Sequence, residues 1–452
     1  MGEKLIVIGG TAAGLSAASK ARRNKPDLDI KVFEKSGYVS YGACGLPYFV
    51  GGLIDEPDQL IAITAAELTN KRNISTFIHH EVMKVDRVNK TVTVLNLDTN
   101  QETIHLYDKL VIATGAIPIK PEIPGIESNG IYYLRTVEDG IFLKEKVASE
   151  GQTAAIIGGG FIGLEMAEQL MQVGVQVHLF EKLDRLLPFL DESFSKNVKE
   201  MLEAHGVVVH LGTDVKGFAT ANGMVTAVET QIGDVQKVDF VLMSIGVLPA
   251  NELAKKAGLK LGLKGAIVVD DRMQTSDESI WACGDCVEMK QIVTGKPTYV
   301  PLGTTANKQG KVAGENLSGG EDYFPGVLGS VVTKVFELTI ASTGLSVEQA
   351  LQVGLEVAKS IITKADKASY YPGGRDNIIF LIVDKKSGQL LGAQGIGSES
   401  VAGRINVFAT AITNRMTVKQ ISELDLVYAP PVAPVYDPIL IAASQAMKKV
   451  EG

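Results

Sequence analysis

The feature that most constrains the fold of this chain is an internal repeat. Residues 8–14 read IGGTAAG and residues 32–34 read VFE; residues 157–163 read IGGGFIG and residues 179–181 read LFE. In each copy a short apolar run (4–8 and 154–157) enters a glycine-rich turn. A stretch of helical composition follows, and a second apolar run (29–33 and 175–180) closes on an acid. Strand, glycine turn, helix, strand and acid, in that order, make a dinucleotide-binding unit. The glycines let the backbone approach a pyrophosphate, and the helix N-terminus offers unpaired amides and the positive end of its dipole. The first turn is Gly9, Gly10, Thr11, Ala12, Ala13 and Gly14, with Thr11 in place of the middle glycine. A plain turn without a ligand is the competing reading there, and Glu34, at the distance of a ribose-binding acid, weakens it. The second copy is complete: Gly158, Gly160, Phe161, Ile162 and Gly163 carry the turn and Glu181 is the acid.

Two nucleotide units in one chain suggest FAD and a nicotinamide cofactor. The Glu181 carboxylate would repel a 2′-phosphate, which favours NADH; Lys182 and Arg185, close behind it, leave NADPH open. Between the copies, residues 110–115 read LVIATG, a strand running into Ala113, Thr114 and Gly115, with Pro118 and Pro121 beyond. A similar signal surrounds Gly246 at residues 241–249. The second unit therefore reads as an insertion, with the chain returning to the first domain near residue 245. Residues 280–283 read as a short strand ending at Gly284 and Asp285, an acid placed to hold a ribityl or phosphate-proximal hydroxyl, and residues 303–316 read as a helix over the flavin pocket. Cys283 and Cys286 flank Asp285 without a second CxxC or HxxH, so they read as structural. The six histidines show no metal spacing, and no metal is expected.

From residue 324 the pattern changes to alternating strands with a hairpin signal at Lys386, Ser387 and Gly388, and no nucleotide turn recurs. This part reads as an oligomerisation module. The length of 452 residues fits about three domains. The net charge of −8 argues against nucleic acid or an anionic membrane as partner. No apolar stretch approaches a membrane span, no leader-like segment opens the chain, and three cysteines make no disulfide framework. A soluble, cytoplasmic protein is expected.

Within residues 38–52, YVSYGACGLPYFVGG, a single cysteine lies just after the first nucleotide unit. Gly45, Leu46 and Pro47 suit a helix start. That would set Cys44 at a helix N-terminus, where the dipole lowers a thiol pKa. A buried structural cysteine is the alternative. The glycine-rich, aromatic loop favours a redox thiol.

These motifs together (two dinucleotide units, the Ala-Thr-Gly crossover, the Gly-Asp strand end and the lone cysteine in SYGACGLPY) resemble the single-cysteine branch of the pyridine nucleotide-disulfide oxidoreductases over essentially the whole chain. Within the branch the sequence is most similar to the coenzyme A-disulfide reductases and NADH-dependent persulfide or polysulfide reductases. The resemblance implies an α/β fold: two Rossmann-like nucleotide-binding domains plus a C-terminal α+β dimerisation domain. The implied bounds are 1–115 with 245–323 for FAD, 116–244 for NAD(P)H and 324–452 for dimerisation. It implies a homodimeric enzyme in which NAD(P)H and FAD reduce a small disulfide, persulfide or polysulfide, with CoA as substrate or mixed-disulfide ligand. Cys44 is then the redox thiol. Tyr428, in YAPPVAPVYDP, reaches the other subunit's site as a general acid, with Tyr370 as its companion. Lys35 joins the cofactor contacts, and Arg23, Ser40 and Lys71 fall where the family contacts CoA. Oxidases and peroxidases of the branch carry a histidine where this chain has Ala12, which weakens a sulfenic-acid reading. Ala43 replaces an asparagine often found before the cysteine. The chain ends at Gly452 without the rhodanese domain that many persulfide reductases carry, so sulfur transfer would use free small molecules. An electron-transfer reductase or redox sensor is the reading from another class.

Overall fold

The computed structural model describes residues 2–147 and 151–450; the outermost expected domain bounds, 1 and 452, lie outside them. Strand Lys4–Ile8 sits at the centre of a parallel sheet whose order is Ile280–Ala282, Lys109–Ile112, Lys4–Ile8, Asp29–Phe33 and Ser75–Phe77. Its residues Leu5, Ile6, Val7 and Ile8 are all buried, as expected of a strand covered on both faces. The helix after the turn spans Ala12–Asn24, so it begins inside the stretch read as turn. Ala12 and Ala13 are strong helix formers, and Leu15 N–H already donates to Thr11 O at 3.1 Å. Helix Gly303–Leu317 packs along it. A Cβ at Gly310 would lie 2.2 Å from Ala13 O, so the glycine permits this close approach.

The second unit repeats the plan: Val208–His210, Gln176–Phe180, Thr153–Ile157, Phe240–Met243 and Ile131–Tyr132 form a parallel sheet, and helix Phe161–Gln172 follows its glycine turn. Two short antiparallel strands, Ala116–Pro118 and Val247–Pro249, carry the chain out to this unit and back. The C-terminal part is an antiparallel sheet in the order Val331–Val335, Leu338–Gly344, Leu390–Gly397, Asp376–Asp384 and Val357–Ala365, covered by helices Ser400–Thr413 and Pro438–Val450. The turn between its first two strands wedges into the second unit. Phe336 N–H donates to Glu168 Oε2 at 2.8 Å, the Phe336 ring stacks on His205 with 3.8 Å between centroids, and Thr333 Oγ1 donates to Glu165 Oε1 at 2.8 Å. No helix among the described residues is long and apolar enough to cross a membrane.

The second unit also carries a titrating pair. His178 Nδ1 and His210 Nε2 lie 3.1 Å apart, and His210 stacks on Phe180 at 4.4 Å. Burial lowers both pKa values; His210 lowers that of His178 further, while Asp234 partly opposes the shift at His210. A base with a depressed folded pKa holds fewer protons when folded than unfolded. Its stabilisation is therefore complete above the unfolded value of about 6.5 and is lost as pH falls through the folded one. Acidification from about pH 7.5 to about pH 5 should lower the melting temperature by a few degrees more in the parent protein than in His210→Phe. Equal slopes in a pH series of thermal melts would refute this.

Candidate active site

The first nucleotide turn is built by contacts that admit no side chain. Gly9 has φ +106°, and a Cβ there would meet Ala113 O at 2.2 Å; one at Gly14 would meet Gly9 O at 2.0 Å. Glu34 holds the turn from the next strand: its Oε2 accepts Gly10 N–H at 2.7 Å and its Oε1 accepts Ser36 N–H at 3.0 Å. Lys35 beside it is exposed. The second turn repeats the device, with Glu181 Oε2 accepting Gly159 N–H at 2.8 Å and Oε1 accepting Leu183 N–H at 2.8 Å. Phe161, at the start of the second helix, rests against Phe189 with ring centroids 5.5 Å apart; Ile162 is exposed.

Asp285 lies just past the end of strand Ile280–Ala282, within the first unit. It pairs with a residue that sequence reasoning missed: Arg135 Nη2 donates to Asp285 Oδ2 at 2.8 Å across 150 residues. Two more residues hold this corner. Gln309 Oε1 accepts Gly284 N–H at 2.9 Å, and Tyr299 OH donates to Asp285 O at 2.8 Å. Gln309 is fully buried and its Nε2 has no partner. Thr114 Oγ1 donates to Ala250 O at 2.6 Å, while Gly115 and Gly246 lie at the paired crossover strands. Cys283 and Cys286 are fully buried beneath Asp285, and burial pushes the Cys286 thiol up to about 11. No cluster of three or more metal-ligating side chains occurs among the described residues.

Cys44 is the exposed one of the three cysteines. The structure corrects the expected helix-dipole effect. Cys44 lies inside a 3-10 turn, Ala43–Gly45, and the α-helix that follows, Leu46–Val50, has only five residues and is capped by Gly45. The thiol pKa is raised rather than lowered. Crowding by protein atoms is the largest cause, Glu165 adds to it, and the Arg135 guanidinium opposes it. Glu165 projects from the second unit's helix, and its own pKa is raised, first by burial. No motif in the sequence pointed to it, because it comes from a different unit than Cys44.

Beside the thiol loop lies a cleft of about 170 Å³ lined by Thr11, Ser16, Ser19, Ser40, Arg72 and Asn307. Ser40 takes φ +51° and donates its amide to Gly10 O, which ties the thiol loop to the nucleotide turn. Arg23 continues the Ser16–Ser19 face of its helix. Lys71 is paired with Glu67 at 2.7 Å, and it is the neighbouring Arg72 that faces the cleft. Tyr370 and Tyr428 are exposed on two loops of the C-terminal part, and their hydroxyls meet at 2.9 Å. That hydrogen bond is the main cause of a raised Tyr428 pKa.

Two nucleotide units with an exposed thiol beside the first fit a dinucleotide-dependent oxidoreductase. Residues 3–310 match the pyridine nucleotide-disulphide oxidoreductase family and residues 331–437 match that family's dimerisation domain, so the chain belongs to this family. It is 37% identical over 447 residues to the NAD(P)H coenzyme A polysulfide/persulfide reductase of Pyrococcus horikoshii, covering 98% of each chain. It is 38% identical over 452 residues to an NADH oxidase of Methanocaldococcus jannaschii, covering 99% of each. The structure of a NAD-dependent persulfide reductase from A. fulgidus matches with a TM-score of 0.96 and 43% identity, over 99% of this chain and 84% of that one. The family resemblance, the α/β architecture and the NAD(P)H-dependent oxidoreductase class expected from the sequence are therefore established.

FAD and NAD(P)H are the cofactors of the family, and the residues here fit them. The Gly9 turn has no room for a Cβ, the Gly284 turn is held by Gln309, and the unpartnered Gln309 Nε2 is a buried donor beside it. At the second unit, Lys182 pairs with Asp214 at 3.2 Å and Arg185 with Glu348 at 3.4 Å.

Proposed function

We propose that this protein is a homodimeric FAD-dependent NAD(P)H oxidoreductase that reduces CoA disulfide, CoA persulfide or polysulfide through Cys44. The observation that carries the reading is the isolation of that thiol. Cys44 is exposed, whereas Cys283 and Cys286 are sealed in the core, so any disulfide partner must arrive from outside. Ser40 and Arg72 at the cleft, with Arg23 farther along the Ser16–Ser19 helix face, suit a long polar ligand with phosphates. FAD supplies the two-electron relay from the nicotinamide to the thiol.

In this reading the Cys44 thiolate attacks one sulfur of the substrate. The S–S bond breaks, and the departing thiolate takes a proton from the Tyr428 hydroxyl of the partner subunit. The raised Tyr428 pKa keeps that proton in place at neutral pH. Two electrons then break the mixed disulfide into the Cys44 thiolate and a second thiolate product, and protons from solvent convert that product to the thiol and restore the Tyr428 hydroxyl. Exposed Val427, Val432, Val435 and Tyr436 beside Tyr428 form the kind of apolar surface that a second subunit covers. Lys182 and Arg185, held by acids, leave Glu181 to favour NADH over NADPH. Three free cysteines suit the cytoplasm.

The test is the intact mass of the purified protein before and after reductant. Loss of one CoA per chain supports the reading. An adduct of oxygen alone supports the oxidase or peroxidase reading that the M. jannaschii relative's name suggests, and an unmodified Cys44 argues against a resting mixed disulfide.

A further inference from the structure

The tyrosine pair stands on two separate loops, and one buried arginine ties both of them down. Tyr370 lies in the connection between strands Val357–Ala365 and Asp376–Asp384. Tyr428 lies in the segment between helices Val418–Ser422 and Pro438–Val450. Arg404, on helix Ser400–Thr413, is 5% exposed. Its Nη2 donates to Asp366 O at 3.3 Å, at the foot of the first loop. Its Nε and Nη2 form a fork on Asp437, at the foot of the second, with distances of 3.0 Å to Oδ1 and 2.7 Å to Oδ2. Asp437 is 7% exposed and also accepts Ile439 N–H at 2.9 Å, which caps the last helix.

Each foot is stiffened further. Asp366 Oδ1 accepts Arg375 N–H at 2.9 Å across the base of the first loop. Arg404 Nη1 donates to Ser400 Oγ, which also accepts from Asn377 Nδ2 at 2.8 Å. Higher up, the loops are joined by Ala368 N–H donating to Pro430 O at 3.3 Å, and at the tips by the hydroxyls of Tyr370 and Tyr428. A planar guanidinium can grip a carboxylate and a carbonyl at once in fixed geometry, which a lysine cannot.

We infer that Arg404 is a positioning residue that sets the Tyr370–Tyr428 hydroxyl pair by fixing the feet of both loops. The inference rests on the reading above only for its effect on turnover; the geometric part stands apart from it. The FAD-loaded dimer is compared with Arg404→Lys and with the double change Arg404→Met/Asp437→Leu, which removes both buried charges together and guards against misfolding. Fluorotyrosine at position 428 is followed by fluorine NMR through a pH titration. Turnover of CoA disulfide and reduction of the bound flavin by NADH are measured in parallel.

Both variants should move the Tyr428 titration back toward an ordinary phenol. Arg404→Lys should lower turnover about tenfold, with flavin reduction within about twofold of the parent. In a Tyr428→Phe background the same change should cost nothing more, because it acts through that tyrosine. An unchanged Tyr428 titration, or an equal loss in the two backgrounds, overturns the inference. If Tyr428→Phe itself keeps full turnover while the titration still shifts, the positioning role stands and the general-acid reading falls.

Discussion

Cys44→Ser is expected to cut disulfide turnover by about 10³-fold or more while leaving the flavin bound and reducible by NADH. A serine hydroxyl is far less acidic than a thiol and stays un-ionised at neutral pH, so it is no nucleophile toward a disulfide. The nucleotide turns lie outside the substituted position, so flavin content should match the parent. The informative comparison is rapid-mixing absorbance with NADH alone against steady-state turnover with CoA disulfide. If turnover persists, the sulfur chemistry is not at Cys44. If flavin reduction is lost as well, the residue is structural.

A second large effect is expected at Gly9→Ala. The position combines φ +106° with a Cβ contact of 2.2 Å to Ala113 O, and Ala113 N–H is itself bonded to Ile8 O. Strain of roughly 1–3 kcal/mol from the backbone alone adds to a displacement of the loop at residues 113–115. The variant should purify with about a tenth or less of the parent's flavin and a lowered melting temperature. Flavin released on denaturation, per mole of protein, reads this directly. Full flavin occupancy would show that the turn does not approach the cofactor.

Both nucleotide units were legible because their signals are local. Strand, turn, helix, strand and acid fall within about thirty residues. Residues at the centre that come from distant segments were not legible. Arg135 meets Asp285 across 150 residues, and Ser16 meets Asn307 across 291. Neither pairing leaves a periodic trace. The environment of Cys44 was misread for a related reason. Pro47 does mark a helix start, but five residues give a weak dipole, and the nearby charge of Glu165 arrives from the other unit. The strand order of the C-terminal sheet, in which Leu338–Gly344 pairs with Leu390–Gly397, is likewise fixed by long-range packing rather than by any local pattern.

The twin carboxylate ties in the two turns have a consequence for engineering. Each acid accepts a backbone amide of its own turn, Gly10 for Glu34 and Gly159 for Glu181, and in the proposed function the same carboxylate would hold a ribose hydroxyl. Nucleotide choice and loop rigidity are therefore coupled through the carboxylate at residue 181. Trading Glu181 for a small residue to admit a 2′-phosphate would also unbolt the Gly159 amide. Glutamine would remove the charge and retain an acceptor, and so separates the two roles that a single carboxylate combines.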